Sequence, residues 1–303
     1  MTSVLSAKVT VSRLGLTATP TTQEPAFMSD SQGKLSVLVP VYNEERTISE
    51  ILDRVLALGS VVKEIVVVDD GSQDRTAEIV KAKLVGEPRI RFHQMPKNRG
   101  KTAAIKQALL LATGEILIVQ DADLEYDPAE IPDVIAPILA GHADVVFGSR
   151  FLVRKASRVL YFYHYLANVG LTFLSNLLTN RNMSDIETGY KAFRAGVIQP
   201  LDLTSKGFGM EVEITAMVCK TRAATYEVPI SYYGRPYEEG KKIGFMDGVA
   251  ALWYIGYYNL VKPYTLSGRR YIHAVNESLA KRAAAKADAH REGSPRPDVG
   301  EMG

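Results

Sequence analysis

The chain has 303 residues, 46% of them apolar, and a net charge of +2, enough to bury one large core or two small ones. So balanced a charge argues neither for nor against nucleic acid. The one cysteine, Cys219, excludes a disulfide framework or a cysteine-based zinc site, and the five histidines (His93, His142, His164, His273, His290) form no HExxH-type pair.

Residues 1–33 are rich in Thr, Ser, Gln and Pro, show no sustained periodicity, and lack the apolar core of about 7–15 residues that a secretory signal needs. They read as a disordered extension, with Met28 as an alternative start. From Leu35 strand and helix patterns alternate. Strands are expected at Leu35–Val41, Glu64–Asp69, Arg89–Gln94, Glu115–Gln120 and Asp144–Gly148. Between them lie helices at Glu44–Leu58, Asp74–Val85, Lys101–Thr113 and Ile131–Leu139. This alternation predicts an α/β fold, a mostly parallel sheet with helices on both faces. Beyond residue 150 come helix Val159–Leu178, a turn-rich stretch, helix Met210–Thr221, strand Tyr226–Ser231 and a basic loop. The tail from about Asn276 is expected to fray.

No segment reads as a transmembrane helix. Val159–Asn180 is uncharged but holds His164, Asn168, Thr172, Ser175, Asn176 and Thr179, polar groups expensive in hydrocarbon. Gly248–Val261 is aromatic but shorter than the roughly 20 residues a span requires. Both suit either a membrane surface, where Tyr and Trp are favoured, or the cover of a soluble core.

Three of the early strands end in polar clusters: Pro40-Val41-Tyr42-Asn43-Glu44, Asp69-Asp70-Gly71-Ser72 and Asp121-Ala122-Asp123. Parallel strands put these ends on one sheet edge, where ligands bind in open α/β sheets. Asp121 and Asp123, with Glu125 and Asp127 following, offer hard oxygen ligands suited to Mg²⁺ or Mn²⁺ carrying a phosphate. The other reading of that stretch is an acidic turn, with Asp127-Pro128 opening the next helix. Taken together the clusters suit a nucleotide: Tyr42 against base or ribose, Asp69 or Asp70 accepting from base or ribose, and a metal on the phosphates. Gly100-Lys101-Thr102 resembles the end of a P-loop, but Met95 stands where that pattern needs Gly. The Asn98–Thr102 run would still offer a helix N-terminus to a phosphate.

The order PVYNE, VVDDGS, NRGK, DADLE, GSR is similar to that of the family 2 glycosyltransferases with a GT-A fold. The later runs SDIETGYK (184–191) and RPYEEGKK (235–242) resemble the polyprenyl-phosphate branch of that family, which includes dolichol-phosphate mannose synthases. The likeness covers roughly residues 34–260. It implies that Pro40, Tyr42, Glu44, Asp69, Asp70, Lys101, Asp121, Arg235 and Lys242 bind the donor, and that Asp121, Asp123 and Glu125 hold the metal. Family members often carry Gln where this chain has Glu125. Arg150, Arg154 and Arg158 would bind the acceptor phosphate, although Arg154, Lys155 and Arg158 also read as ordinary surface charge. Asp121, Asp123, Arg150 and Asp185 would be catalytic, with Asp185 or Glu187 as the base if the acceptor were a hydroxyl.

The implied layout is a catalytic domain over 34–235, a basic loop and amphipathic membrane-interface helix over 236–275, and a mobile tail over 276–303. The implied activity is inverting, metal-dependent transfer of a hexose from UDP-glucose or GDP-mannose to a polyprenyl phosphate at the cytoplasmic face of the membrane. Many relatives carry transmembrane helices after the catalytic domain. Here a membrane surface or a small membrane-anchor protein is the expected partner, nucleic acid is not, and a homo-oligomer stays open. The alternatives are a soluble family 2 enzyme with a hydroxyl acceptor, and a non-catalytic nucleotide-sugar-binding subunit.

Overall fold

A computed structural model describes residues 33–152, 161–207, 209–234 and 245–292. Its centre is a seven-stranded sheet in the order β3-β2-β1-β4-β6-β5-β7. The strands are β1 (Leu35–Val41), β2 (Val62–Asp69), β3 (Ile90–Gln94), β4 (Ile116–Val119), β5 (Val145–Ser149), β6 (Lys191–Arg194) and β7 (Thr225–Pro229). All pairings are parallel except those of β6, which runs antiparallel between β4 and β5. Every residue of β1 and β4 is buried, as expected of central strands covered on both faces.

Alternation sorts the strand side chains into two cores. Val37, Val39 and Val41 face α1 (Ile48–Leu56), α2 (Thr76–Leu84) and α4 (Ile131–Leu139). Leu38, Val66, Val68 and Phe147 face α3 (Lys101–Leu111) on the other side. The same core is covered further along by α5 (Phe162–Thr179), the short α6 (Ala195–Ile198), α7 (Gly209–Cys219), α8 (Phe245–Leu260) and α9 (Leu266–Glu292). In α1 the buried set Ile48, Ile51, Leu52, Val55 follows the helical period.

Three sequence expectations change. Helix α1 begins at Ile48 rather than Glu44, because the preceding amides are taken elsewhere. Asn43 N–H donates to Ser72 Oγ, Glu44 N–H to Thr76 Oγ1 and Glu45 N–H to Asp74 Oδ2. Strand β6 lies in the stretch read as turns; four residues with basic ends give no apolar run. The chain also remains helical past Asn276, where fraying was expected, as Arg282 pairs with Asp144 beneath β5 and Asn276 Oδ1 accepts from Arg222 N–H.

The register places the site. Val41 pairs with Asp69 and Leu38 with Val119, so β1, β2 and β4 run out together at one edge. Pro40 lies past the last β1–β4 pair, where the N–H it lacks is not required. Among the described residues no helix is long and apolar enough to cross a membrane.

Candidate functional site

A cavity of about 270 Å³ opens at that edge, lined by Pro40, Tyr42, Glu44, Asp70, Asn98, Gly100, Lys101, Asp121 and Asp123, among others. Tyr42 is held out by the loop beside it. Asn43 adopts φ 54°, and its Oδ1 accepts from Gln73 N–H. Tyr42 itself is 40% exposed, an open aromatic ring at the mouth.

The two aspartates at the end of β2 separate in role. Asp70 reaches the cavity wall while its oxygens accept from Arg99 N–H (2.8 Å) and Gly100 N–H (2.6 Å). Asp70 thus takes the two amides that lead into α3, part of the run expected to meet a phosphate. Asp69 is fully buried, and its Oδ1 accepts from Ser72. Its Oδ2 is buried without a hydrogen-bond partner among the described residues. Gly71, at φ +74°, lets this turn lie against Lys97 and Asn98, where a Cβ would meet backbone at 2.8 Å.

Lys101 reaches from the start of α3 to Asp121, with Nζ 2.7 Å from Oδ1 and 2.9 Å from Oδ2, and lies 3.6 Å from Glu211 of α7. Burial opposes its charge, but Asp121 and Glu211 outweigh that and hold the ammonium far above its ordinary pKa. Glu211 is buried within the apolar run Met210–Cys219, a setting that hid it as a site residue.

Asp123 Oδ1 accepts from Glu125 N–H, and the intervening Leu124 sits at φ 61°. A leucine in that region costs on the order of 1–3 kcal/mol, strain held beside the acidic pair. Glu125 turns toward Tyr232, whose hydroxyl donates to Oε2 at 2.8 Å. Among the described residues no three acidic, His or Cys side chains converge on one metal position, so the expected trio Asp121, Asp123, Glu125 does not form a cage. Asp121 and Asp123 both line the cavity, however. One or two carboxylates are what Mg²⁺ takes when phosphates supply the rest of its ligands, and on that chemistry the pair fits.

Next to this cavity lies the second charged pair. Arg150 grips Asp185 with Nε to Oδ2 (2.7 Å) and Nη2 to Oδ1 (2.8 Å), and its guanidinium lies over the Tyr232 ring. Asp185 is wholly buried with both oxygens engaged, so it orients Arg150 rather than standing as a free base. Tyr126 joins the two halves: it stacks on Tyr190, tilts against Tyr232, and its hydroxyl accepts from Gly189 N–H. Burial pushes the Tyr126 pKa up to about 12. Gly189 abuts Asp121, where a Cβ would lie 2.9 Å from Oδ2.

Glu187 is half-buried, with Oε1 shielded and without a hydrogen-bond partner among the described residues. Burial and the nearby Glu211 carboxylate push its pKa up to about 7. Lys191, fully buried on β6, donates to the carbonyls of Ile186 and Thr188 and so staples the loop on either side of Glu187. Of the remaining expected site residues, Arg154, Arg158, Arg235 and Lys242 lie outside the described residues.

Residues 36–201 match the glycosyl transferase family 2. The dolichol-phosphate mannosyltransferase of Pyrococcus furiosus is 31% identical over 214 residues, covering 70% of this chain and 60% of that protein. The undecaprenyl-phosphate 4-deoxy-4-formamido-L-arabinose transferase of Pectobacterium carotovorum is 32% identical over 178 residues, covering 57% and 53%. The chain thus spans little more than half the length of these two relatives. Glucosyl-3-phosphoglycerate synthase from Mycobacterium tuberculosis, solved with Mn²⁺, uridine diphosphate and glucosyl-3-phosphoglycerate, superposes with a TM-score of 0.59. Its identity is 20%, over 82% of this chain and 86% of that one. That likeness is one of fold, and it agrees with the GT-A architecture expected from the motifs.

Proposed function

The chain belongs to glycosyl transferase family 2, and we propose that it transfers a hexose from a nucleotide sugar to a polyprenyl phosphate, with inversion at the anomeric carbon. UDP-glucose and GDP-mannose are the two donors that the family resemblance implies. One observation carries the reading. A cavity of about 270 Å³ with Asp121, Asp123 and Lys101 on its wall is linked to Arg150, a guanidinium fixed by Asp185, through Gly189, which abuts Asp121 and donates to Tyr126, and through the contact of Tyr126 with the Tyr232 ring beneath that guanidinium. The names of both curated relatives point to the same acceptor class.

In this reading Tyr42 meets the base or ribose, and Asp70 or Asp69 accepts from the base. Asp123, with Asp121 beside it, would hold Mg²⁺ or Mn²⁺, which when bound supplies Lewis acidity to the diphosphate leaving group. Lys101 adds a fixed positive charge at the same end, and Arg235 and Lys242 would close over the donor. Arg150 receives the acceptor phosphate, in line with the anomeric carbon. A phosphate is already an anion near neutral pH, so it needs placement more than deprotonation.

Docking at the cytoplasmic membrane surface would bring such an acceptor to the site. The exposed aromatic residues of α5 and α8, Phe162, Tyr163, Phe173 and Trp253 among them, suit an interface.

A second reading has its own support. Glu187, with a raised pKa and an unengaged oxygen, is poised as a base for a hydroxyl acceptor. The deciding experiment is release of nucleoside diphosphate from a panel of UDP- and GDP-sugars with Mg²⁺ or Mn²⁺, with and without a short polyprenyl phosphate. Lipid-stimulated, metal-dependent release supports the first reading. Release stimulated only by hydroxyl acceptors, and lost in Glu187→Gln, supports the second.

A further inference from the structure

Helix α5 carries Asn168, Thr172 and Asn176 at four-residue spacing, a polar stripe along one face of the helix. All three bind the segment that contains Asp185. Asn168 Nδ2 donates to Asp185 Oδ1 at 3.4 Å. Thr172 Oγ1 donates to Asn168 Oδ1 at 3.2 Å and accepts from Ile186 N–H at 3.5 Å. Asn176 exchanges two hydrogen bonds with the Met183 backbone, at 2.7 and 3.1 Å. From the opposite side Glu227 of the edge strand β7 accepts from Ser184 N–H and Asp185 N–H. The 183–186 segment is therefore clamped between α5 and the sheet, and Asp185 is aimed at Arg150.

A neighbouring stripe of the same helix faces outward: Phe162, Leu166, Phe173 and Leu177 are 52–69% exposed. Tyr165 packs edge-on against Phe151, the residue after Arg150. The outward face of α5 is thus continuous with the surroundings of the guanidinium.

We propose that α5 is a relay, meeting a lipid surface with its aromatic stripe and setting Arg150 through Asp185 with its polar stripe, and that Asn168 is the positioning residue of that relay. The inference rests on the reading that the acceptor is a lipid phosphate. The occupant of the outer face is then the bilayer that holds that acceptor: interfacial aromatic residues prefer this depth, and Arg150 waits where the headgroup would arrive. Docking holds α5 against the surface, and α5 fixes the receptor for the phosphate.

The test is hydrogen exchange on the full chain, alone and with phosphatidylcholine/phosphatidylglycerol vesicles, alongside kinetics with polyprenyl phosphate. The relay requires the amides of 183–187 to exchange several-fold more slowly on vesicles. In Asn168→Ala vesicle binding persists, that protection is lost, and KM for polyprenyl phosphate rises about tenfold. That is the order of one hydrogen bond to a charged group. Donor KM and kcat stay within about twofold on the same reasoning. Thr172→Val behaves like Asn168→Ala, and Thr172→Ser, which keeps the hydroxyl, behaves like the wild type. No binding to vesicles, exchange at 183–187 indifferent to them, or an unchanged acceptor KM in Asn168→Ala would each overturn the relay, as would α5 protection caused by a protein partner instead. Failure of the acceptor reading is seen separately, as wild-type product formed only on hydroxyl acceptors, because the exchange measurement needs no acceptor.

Discussion

Lys101 Nζ stands 2.7 Å from Asp121 and 3.6 Å from Glu211, a cation shared by two carboxylates that come from different elements. It neutralises the donor end of the cavity and ties α3, the end of β4 and α7 into one unit. A donor diphosphate brings further negative charge to that wall, and Lys101 is the described ammonium placed there. Replacing it by Met keeps the stem and removes the charge. We expect Lys101→Met to raise the donor KM by about 10–100-fold, the range of one charge-assisted hydrogen bond, with the acceptor KM little changed. Initial rates over a nucleotide-sugar titration would show it. An unchanged donor KM would mean that Lys101 serves only to hold Asp121.

Asp123 lines the cavity, and its Oδ1 accepts from the local Glu125 N–H. If it carries the divalent ion, Asp123→Asn removes the charge while preserving the shape. Calorimetric binding of nucleoside diphosphate in Mn²⁺ should weaken by about 100-fold, and binding in EDTA should be equal in both proteins, since one ion–carboxylate contact is worth several kcal/mol. Equal loss in both conditions would assign Asp123 to the nucleotide itself.

The sheet edge was legible because a parallel sheet sends every strand end the same way. Reading polar residues after three apolar runs therefore collects Tyr42, Asp70, Asp121 and Asp123, while Lys101 enters through the P-loop-like run and the family resemblance. What stayed hidden depends on partners distant in sequence. Arg150 and Asp185 lie 35 residues apart; separately each reads as catalytic, and only the fold shows that one orients the other. Glu211 is masked by the apolar helix around it, and β6 by Lys191, a buried cation in a strand position. Of the polar residues of Val159–Asn180, which argued against a span, Asn168, Thr172 and Asn176 have their explanation in the 183–186 segment they bind.

Arg150 tests the division between placement and stability. In Arg150→Lys the bidentate fork is lost but the charge remains, and a point ammonium cannot reproduce two parallel bonds to a carboxylate. The acceptor KM should rise about tenfold while the protein stays folded. Arg150→Ala leaves Asp185, fully buried, with an uncompensated charge, a loss of roughly 3–5 kcal/mol. At roughly 2–4 °C per kcal/mol for a chain of this class, the melting temperature should fall by about 6–20 °C. Arg150→Ala combined with Asp185→Ala should recover part of that fall. A double variant no more stable than Arg150→Ala would show that the pair is not what the single substitution broke.

Glu187 links the site to pH. Burial and the Glu211 carboxylate raise its pKa from 4.5 to about 7 in the folded chain, so between those values the folded state binds more protons than the unfolded one. Stability must then fall as pH rises across that window, and the group contributes most below pH 4.5. Glu187→Gln mimics the protonated form at every pH. The difference in melting temperature between Glu187→Gln and the wild type should therefore be small near pH 4.5 and grow in favour of the variant up to about pH 7, levelling off beyond it. Activity separates the two acceptor readings in the same protein. With polyprenyl phosphate, which needs no base, Glu187→Gln should keep kcat within about tenfold of the wild type. A hydroxyl acceptor depends on proton removal, so its kcat should drop by about 10²–10⁴ and lose its rise between pH 6 and 8. Melting curves that run parallel from pH 4.5 to 7 would place the Glu187 carboxylate in contact with water rather than beside Glu211.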